Sequence, residues 1–253
     1  MSDNPAVALP GFYRPQFFAS LSSTNDEAKR QAEYGAPEGT LIVADEQAAG
    51  RGRMGRSFYS PPGNLYMSLI VRPDRSAAEL ARLSFVAAVA LGEAIAETLP
   101  QADVSLKWPN DVLLNGRKVS GILLESAHAG GGNGWLVIGV GVNVASSPPH
   151  LGAAAISLAE AGWREPDRDA FLYYFAAQLE CWYRRWRQDG FAPIRLAWLA
   201  RAAYRGETIT VRLPKREFMG TFADLDHDGT LIVLAEDGSR QQVGAGEIFR
   251  AAE

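Results

Sequence analysis

One cysteine in 253 residues, Cys181, excludes an internal disulfide and any cysteine-rich metal framework. Histidine is almost as scarce. His128, His150 and His227 sit in Gly-, Pro- or Asp-rich turns without ligand spacing, so no bound metal is expected. Asp226, Asp228 and Gly229 begin like a calcium loop, but the twelve-residue pattern is not completed. No stretch reaches the roughly 18 apolar residues of a membrane span. The first eleven residues contain Asp3 and prolines without an apolar run and do not read as a secretory signal. The expected setting is therefore the cytoplasm. A net charge of −4 offers no global attraction to nucleic acid or to an anionic membrane. Glycine and proline, 25 and 14 residues, are too few for low complexity, whereas 47% hydrophobic residues can fill a sizeable core.

What is present reads as α+β. Ser22–Tyr34 suits a helix, and Thr24 with Glu27 has the capping-box spacing. Thr40–Ala44 and Asn64–Val71 read as strands, the second apolar enough to be buried on both faces. Ser76–Leu99 predicts one long helix with an apolar stripe, opened by a Ser76–Glu79 capping box. Four short strands follow within 104–140, with Asn115-Gly116 as a hairpin turn. Helices are expected over 167–189, stopped by Gly190, and over 193–203. Within the first of these, Cys181 is expected to be packed rather than nucleophilic. From Arg205 onward the pattern becomes short strands parted by Asp-Gly turns, a small β unit expected to pack on the larger part. The division predicted is 1–204 and 205–253.

The chemistry concentrates in a few segments. Gly50-Arg51-Gly52-Arg53-Met54-Gly55-Arg56 matches G-x-G-x-x-G literally, but Ser57 to Gly63 cannot open the helix that a dinucleotide fold requires. No Walker loop and no G-x-S-x-G elbow is present. Three arginines on a pliable glycine loop suit an anion, bound in bidentate fashion. Lys107-Trp108-Pro109-Asn110-Asp111 either places a cation and polar groups at a strand end or merely makes a turn over a packed Trp108. Only four lysines accompany twenty-one arginines, and two of the four, Lys107 and Lys118, stand beside strand ends. Ile138-Gly139-Val140-Gly141-Val142-Asn143 could bear a flat ligand or simply bulge. Ser23-Thr24-Asn25 is by default a helix cap, although such an N-terminus also offers free N–H groups.

Taken in order, these segments resemble the biotin protein ligases. Ser23-Thr24-Asn25, Glu46-Gln47, GRGRMGR at 50–56, KWPND at 107–111, RKVSGIL at 117–123 and IGVGVN at 138–143 carry the likeness. The resemblance implies a mixed β-sheet with helices packed on one side, like the class II aminoacyl-tRNA synthetase catalytic fold, followed by a small SH3-like β-barrel. It implies two steps, biotin and MgATP giving biotinyl-5′-AMP, then transfer to a lysine of a biotin carboxyl carrier protein. Ser23, Thr24, Asn25, Gln47 and Gly121 would contact biotin, while Arg51, Gly52 and Arg53 close over the intermediate. Lys118 would bridge carboxylate and α-phosphate. Arg56, Lys107 and Asn110 would serve ATP, with Phe58 and Asn143 near adenine and Asp111 as base or orienter. About twenty residues precede Ser23, so no winged helix-turn-helix and no DNA binding is expected. Phe58 replaces the Trp of some relatives. The chain could be a monomer or a homodimer. A lipoate or octanoate ligase and a non-catalytic biotin sensor are the alternatives.

Overall fold

The computed structural model describes residues 8–127 and 134–251. His128, assigned above to a turn, lies outside them. In chain order the elements are β1 (Arg14–Leu21), α1 (Thr24–Glu33), β2 (Thr40–Gln47), β3 (Leu65–Val71), α2 (Ala77–Ala81) and α3 (Leu83–Thr98). Then come β4 (Val104–Lys107), β5 (Asp111–Leu114), β6 (Arg117–Ala127), β7 (Trp135–Val142), α4 (Arg168–Asp189) and α5 (Ala192–Leu199). The chain ends with β8 (Thr208–Arg212), β9 (Glu217–Leu225), β10 (Leu231–Leu234), β11 (Arg240–Val243) and β12 (Glu247–Arg250).

Seven strands form one sheet in the order β1-β2-β3-β7-β6-β5-β4. Only β1 and β2 run parallel, so the sheet is mixed. Alternation along the strands divides its two faces. Leu41, Val43, Leu69 and Ile138 join the core built with α3, α4 and α5. Ile42, Ile70 and Val137 face the other way and meet Ala28 and Ala32 of α1. Most helices thus share one side, but α1 covers the opposite one. That arrangement leaves the rest of the second face open beside the start of α1.

Helix α3 is buried nearly all round, because α4 packs on the side that the sheet does not cover. The expected long helix is also divided at Arg82, where the amide bonds to Glu79 in a tightened turn and the side chain leaves to pair with Asp228. The Ser76–Glu79 capping box forms. The Thr24–Glu27 box does not. Helix α1 starts at Thr24 itself, Ser23 makes no side-chain cap, and Glu27 turns to Arg30 and Gln31. Cys181 is exposed, a correction: it lies on the solvent side of α4, whose buried side is lined by Leu172, Leu179 and Trp186. Asn115 and Gly116 make the hairpin turn with φ of 50° and 73°.

The last five strands form a separate antiparallel, SH3-like sheet, β11-β10-β9-β8-β12. It is not independent of the first. Ile209, Phe222, Leu231 and Ile248 belong to the same apolar core as Phe85 and Trp198. The Trp108 indole donates to Gly229 O at 3.2 Å, and Arg195 pairs with Asp224 at 2.6 Å.

Candidate active site

The open part of the second face forms a cleft of about 610 Å³, bounded by α1, the 50–58 loop, β6, β7 and β12. Every site residue named from the sequence lines it: Ser23, Thr24, Asn25, Gln47, Arg51, Gly52, Arg53, Arg56, Phe58, Lys107, Asn110, Asp111, Lys118, Gly121 and Asn143.

At one end, Ser23, Thr24 and Asn25 are buried at the start of α1. Gln47 at the end of β2 supplies the cap that Ser23 does not: its Oε1 accepts from the Thr24 amide at 2.8 Å and from the Thr24 hydroxyl at 3.1 Å. Ser68 on β3 donates to Asn25 Oδ1 at 2.6 Å. The Asn25 amide lies against Gly139, where any side chain would overlap it.

The arginine segment folds as a small hairpin. Gly52 N bonds to Arg56 O at 2.7 Å and Phe58 N to Gly50 O at 2.8 Å, with Met54 and Gly55 at positive φ at the tip. A methyl group on Gly50 would sit 2.5 Å from Ser60 Oγ, so only glycine fits there. Arg51 reaches back to Asp26 on α1, Arg53 donates to Asn110 Oδ1 at 2.9 Å, and Arg56 pairs with Glu247 of β12 at 2.6 Å. The Phe58 ring lies over the cross-strand pair Gly121 and Gly141. The glycine floor therefore does carry a flat group, and that group is the chain's own aromatic side chain.

Both readings of the KWPND turn hold at once. Trp108 is buried in the core, while Lys107, Asn110 and Asp111 face the cleft. Asn110 is locked to β6, donating to Ile122 O at 2.7 Å. Asp111 pairs with Lys118 across the strands at 2.6 Å. Lys107 stands over the Phe249 ring at 4.8 Å. Asn143 Nδ2 donates to Ile156 O at 3.1 Å, but its Oδ1 is buried without a partner.

Charge is unbalanced here. Lys107, Lys118, Arg53 and Arg56 face only two carboxylates, Asp111 and Glu247. Burial pushes both the Lys107 ammonium and the Arg53 guanidinium below their ordinary pKa values. Neither is in an ion pair with a carboxylate among the described residues. A region with excess, partly buried cation and a donor-seeking amide oxygen suits an anion joined to a group bearing N–H.

Asp26, Lys29, Glu125, Glu247 and Phe249 went unremarked in the sequence. Glu247 and Phe249 sit in a four-residue strand with no motif of its own, and Asp26 gains meaning only once Arg51 lies beside it. His150, set aside as a metal ligand, lines the cleft mouth edge-on to Tyr59 at 6.3 Å. His227 stands with Asp226 and Asp228 in an exposed turn, where Asp226 Oδ1 already accepts from the Asp228 and Thr230 amides.

Residues 17–143 match the sequence model of the biotin/lipoate A/B protein ligase family, and residues 205–250 match that of the biotin protein ligase C-terminal domain. The biotin–[acetyl-CoA-carboxylase] ligase of Paracoccus denitrificans is 43% identical over 91% of this chain and 98% of its own. The bifunctional ligase/repressor BirA of Escherichia coli is 32% identical over 85% of this chain and 68% of its own. Among solved structures, the biotin protein ligase of Aquifex aeolicus in complex with biotin and ATP superposes with a TM-score of 0.81 at 28% identity, covering 94% of this chain and 98% of that one.

Proposed function

Because the chain belongs to the biotin/lipoate A/B protein ligase family, and within it is a biotin–[acetyl-CoA-carboxylase] ligase, we propose that both halves of its reaction run in the cleft beneath the arginine loop. Its substrates are biotin and ATP, and its product is a biotinylated carrier domain. The observation that carries the placement is the excess of cation: with Arg51 paired to Asp26, four further basic side chains line the cleft against two carboxylates.

In the first half a biotin carboxylate oxygen attacks the α-phosphorus of ATP, which enters as its magnesium complex. The bond from that phosphorus to the bridging oxygen breaks, and pyrophosphate leaves. Two anions must meet for this to happen, and their repulsion in a poorly hydrated cleft is large. Lys118, which reaches the cleft from β6, and Arg53, desolvated and without a carboxylate partner, lower that repulsion where the new bond forms. Lys107 and Arg56 serve the outer phosphates. Ser23, Thr24, Asn25 and Gln47, with Gly121, hold the biotin end. The adenine amino group can supply the hydrogen that Asn143 Oδ1 lacks.

In the second half the carrier's lysine, once deprotonated, attacks the acyl carbon. The carbon–oxygen bond to AMP breaks and an amide forms. We assign to Asp111, the ion-pair partner of Lys118 at 2.6 Å, the part of accepting or orienting that proton. The loop, with Gly52 in its first arm and its bend at Met54 and Gly55, shields the mixed anhydride from water.

This reading takes 1–204 as the catalytic unit, 205–253 as a unit that adds one wall, and the cytoplasm as the place of work. No helix among the described residues is long and apolar enough to cross a membrane. DNA binding is not part of it. The test is ATP-dependent incorporation of biotin, against lipoate, into a carrier domain, with pyrophosphate release followed in parallel. Lipoyl transfer without biotinyl transfer would overturn the assignment.

A further inference from the structure

The first arginine of the loop is one of a cluster of four charges rather than half of a simple pair. Arg51 donates through Nη1 and Nη2 to the two oxygens of Asp26 at 2.6 and 2.5 Å, and Nη2 lies 3.8 Å from Glu125. Lys29, one turn along α1, sits 3.0 Å from Asp26 and 2.6 Å from Glu125. Two cations and two carboxylates thus alternate around a small ring. Glu125 has a second contact: its Oε2 accepts from Asn25 Nδ2 at 2.8 Å. Asn25 is 5% exposed, with Ser68 on its oxygen, Glu125 on its nitrogen and Gly139 close beside it, so its amide can stand only one way.

We propose that Glu125 is a positioning residue that joins the two halves of the site, fixing the Asn25 amide at the biotin end and, together with Asp26 and Lys29, the Arg51 end of the loop. The inference rests on the biotin ligase reading and deepens it. Glu125 orients one side chain at the head of the biotin pocket and anchors the arginine that starts the cover, so a ligand that engages Asn25 also bears on the loop.

The cluster is not needed to hold α1 on the sheet. Ala28 and Ala32 do that, packed without solvent contact against Ile42, Ile70 and Val137. Nor do such half-exposed pairs contribute much stability singly. What a bidentate guanidinium inside a ring of charges does is remove freedom from two long side chains. The Asp26 carboxylate stays charged through the neutral range, since the Arg51 hydrogen bonds hold its pKa down to about 2.

Glu125→Gln keeps the shape and one acceptor but removes the charge. In the full chain we expect the KM for biotin to rise about tenfold and biotinyl-AMP, made without a carrier, to escape about tenfold faster, with kcat within about threefold. Asp26→Asn loosens only the Arg51 side. Escape should quicken by a similar factor while the biotin KM stays within about twofold. Glu125→Gln with wild-type KM and wild-type retention overturns the proposal. A fall in kcat at unchanged KM also overturns it, because that marks a chemical or merely structural role. If Glu125→Gln melts early, Asp26→Asn decides, and wild-type retention there is fatal. A wild-type chain that releases no pyrophosphate from biotin and ATP sinks the ligase reading and this inference together, whereas an active wild type with unmoved variants sinks this inference alone.

Discussion

The ends of the arginine loop and its middle are held in different ways. Arg51 is tied by two hydrogen bonds to a carboxylate of the large sheet's own helix, and Arg56 by an ion pair to Glu247 of the small sheet. Arg53, between them, has a neutral amide for its partner and is more deeply buried than either. Compensated cations at the ends shape the loop. The under-compensated one in the middle is left for the ligand, at the cost of desolvation that an incoming phosphate offsets.

The largest test of that contrast is in the middle. Arg53→Met and Lys118→Ala should each reduce pyrophosphate release by about a hundredfold or more, as expected when a cation facing developing negative charge is removed. An Arg53→Met enzyme within threefold of wild type would erase the difference between middle and ends. Next comes Gly139→Ala, which pushes a methyl group into the Asn25 amide. The KM for biotin should rise by about tenfold, because the amide must turn away from its partners. Isothermal titration with biotin alone checks it.

Glu247→Gln should be milder. Freeing the Arg56 end is expected to speed adenylate escape by on the order of threefold, since the pair is partly exposed. Loss of pyrophosphate release equal to that of Arg53→Met would mean that the ends do chemistry too. Smallest is the pH effect of the Asp26 clasp. Its folded pKa of about 2 lies below the ordinary 3.8, so its contribution is full above about pH 4 and is lost as pH falls toward 2. Urea midpoints taken between pH 5 and 3 should fall more steeply for the wild type than for Asp26→Asn.

Much of the site was legible because its parts are local. The arginine hairpin, the KWPND turn and the glycine strand each carry their chemistry within seven residues, and the cleft gathers all of them. Long-range partners were not legible. Glu125 meets Asn25 across 100 positions and Glu247 meets Arg56 across 191, and an isolated glutamate has no spacing to betray it. Local signals also misled where a tertiary partner competed. Thr24 and Glu27 have the capping spacing, yet Gln47 takes the amide and the hydroxyl. Strand β1 was unread because Pro15 sits in it, tolerated since β1 is an edge strand. β12 was unread because Glu247–Arg250 follows no turn signal like the Asp-Gly pairs that mark its neighbours. The apolar run over 64–71 did announce a strand covered on both faces, but not that α1 would take the face opposite the other helices.

Strand β12 bears on biosynthesis as well. Glu247 and Phe249 are among the last-translated residues to reach the cleft, after the arginine hairpin has been made for nearly two hundred positions. A nascent chain on the ribosome therefore holds its cationic groove with one wall missing. Confinement of a reactive acyl phosphate waits on β12, so any adenylate formed before that strand is made would leak.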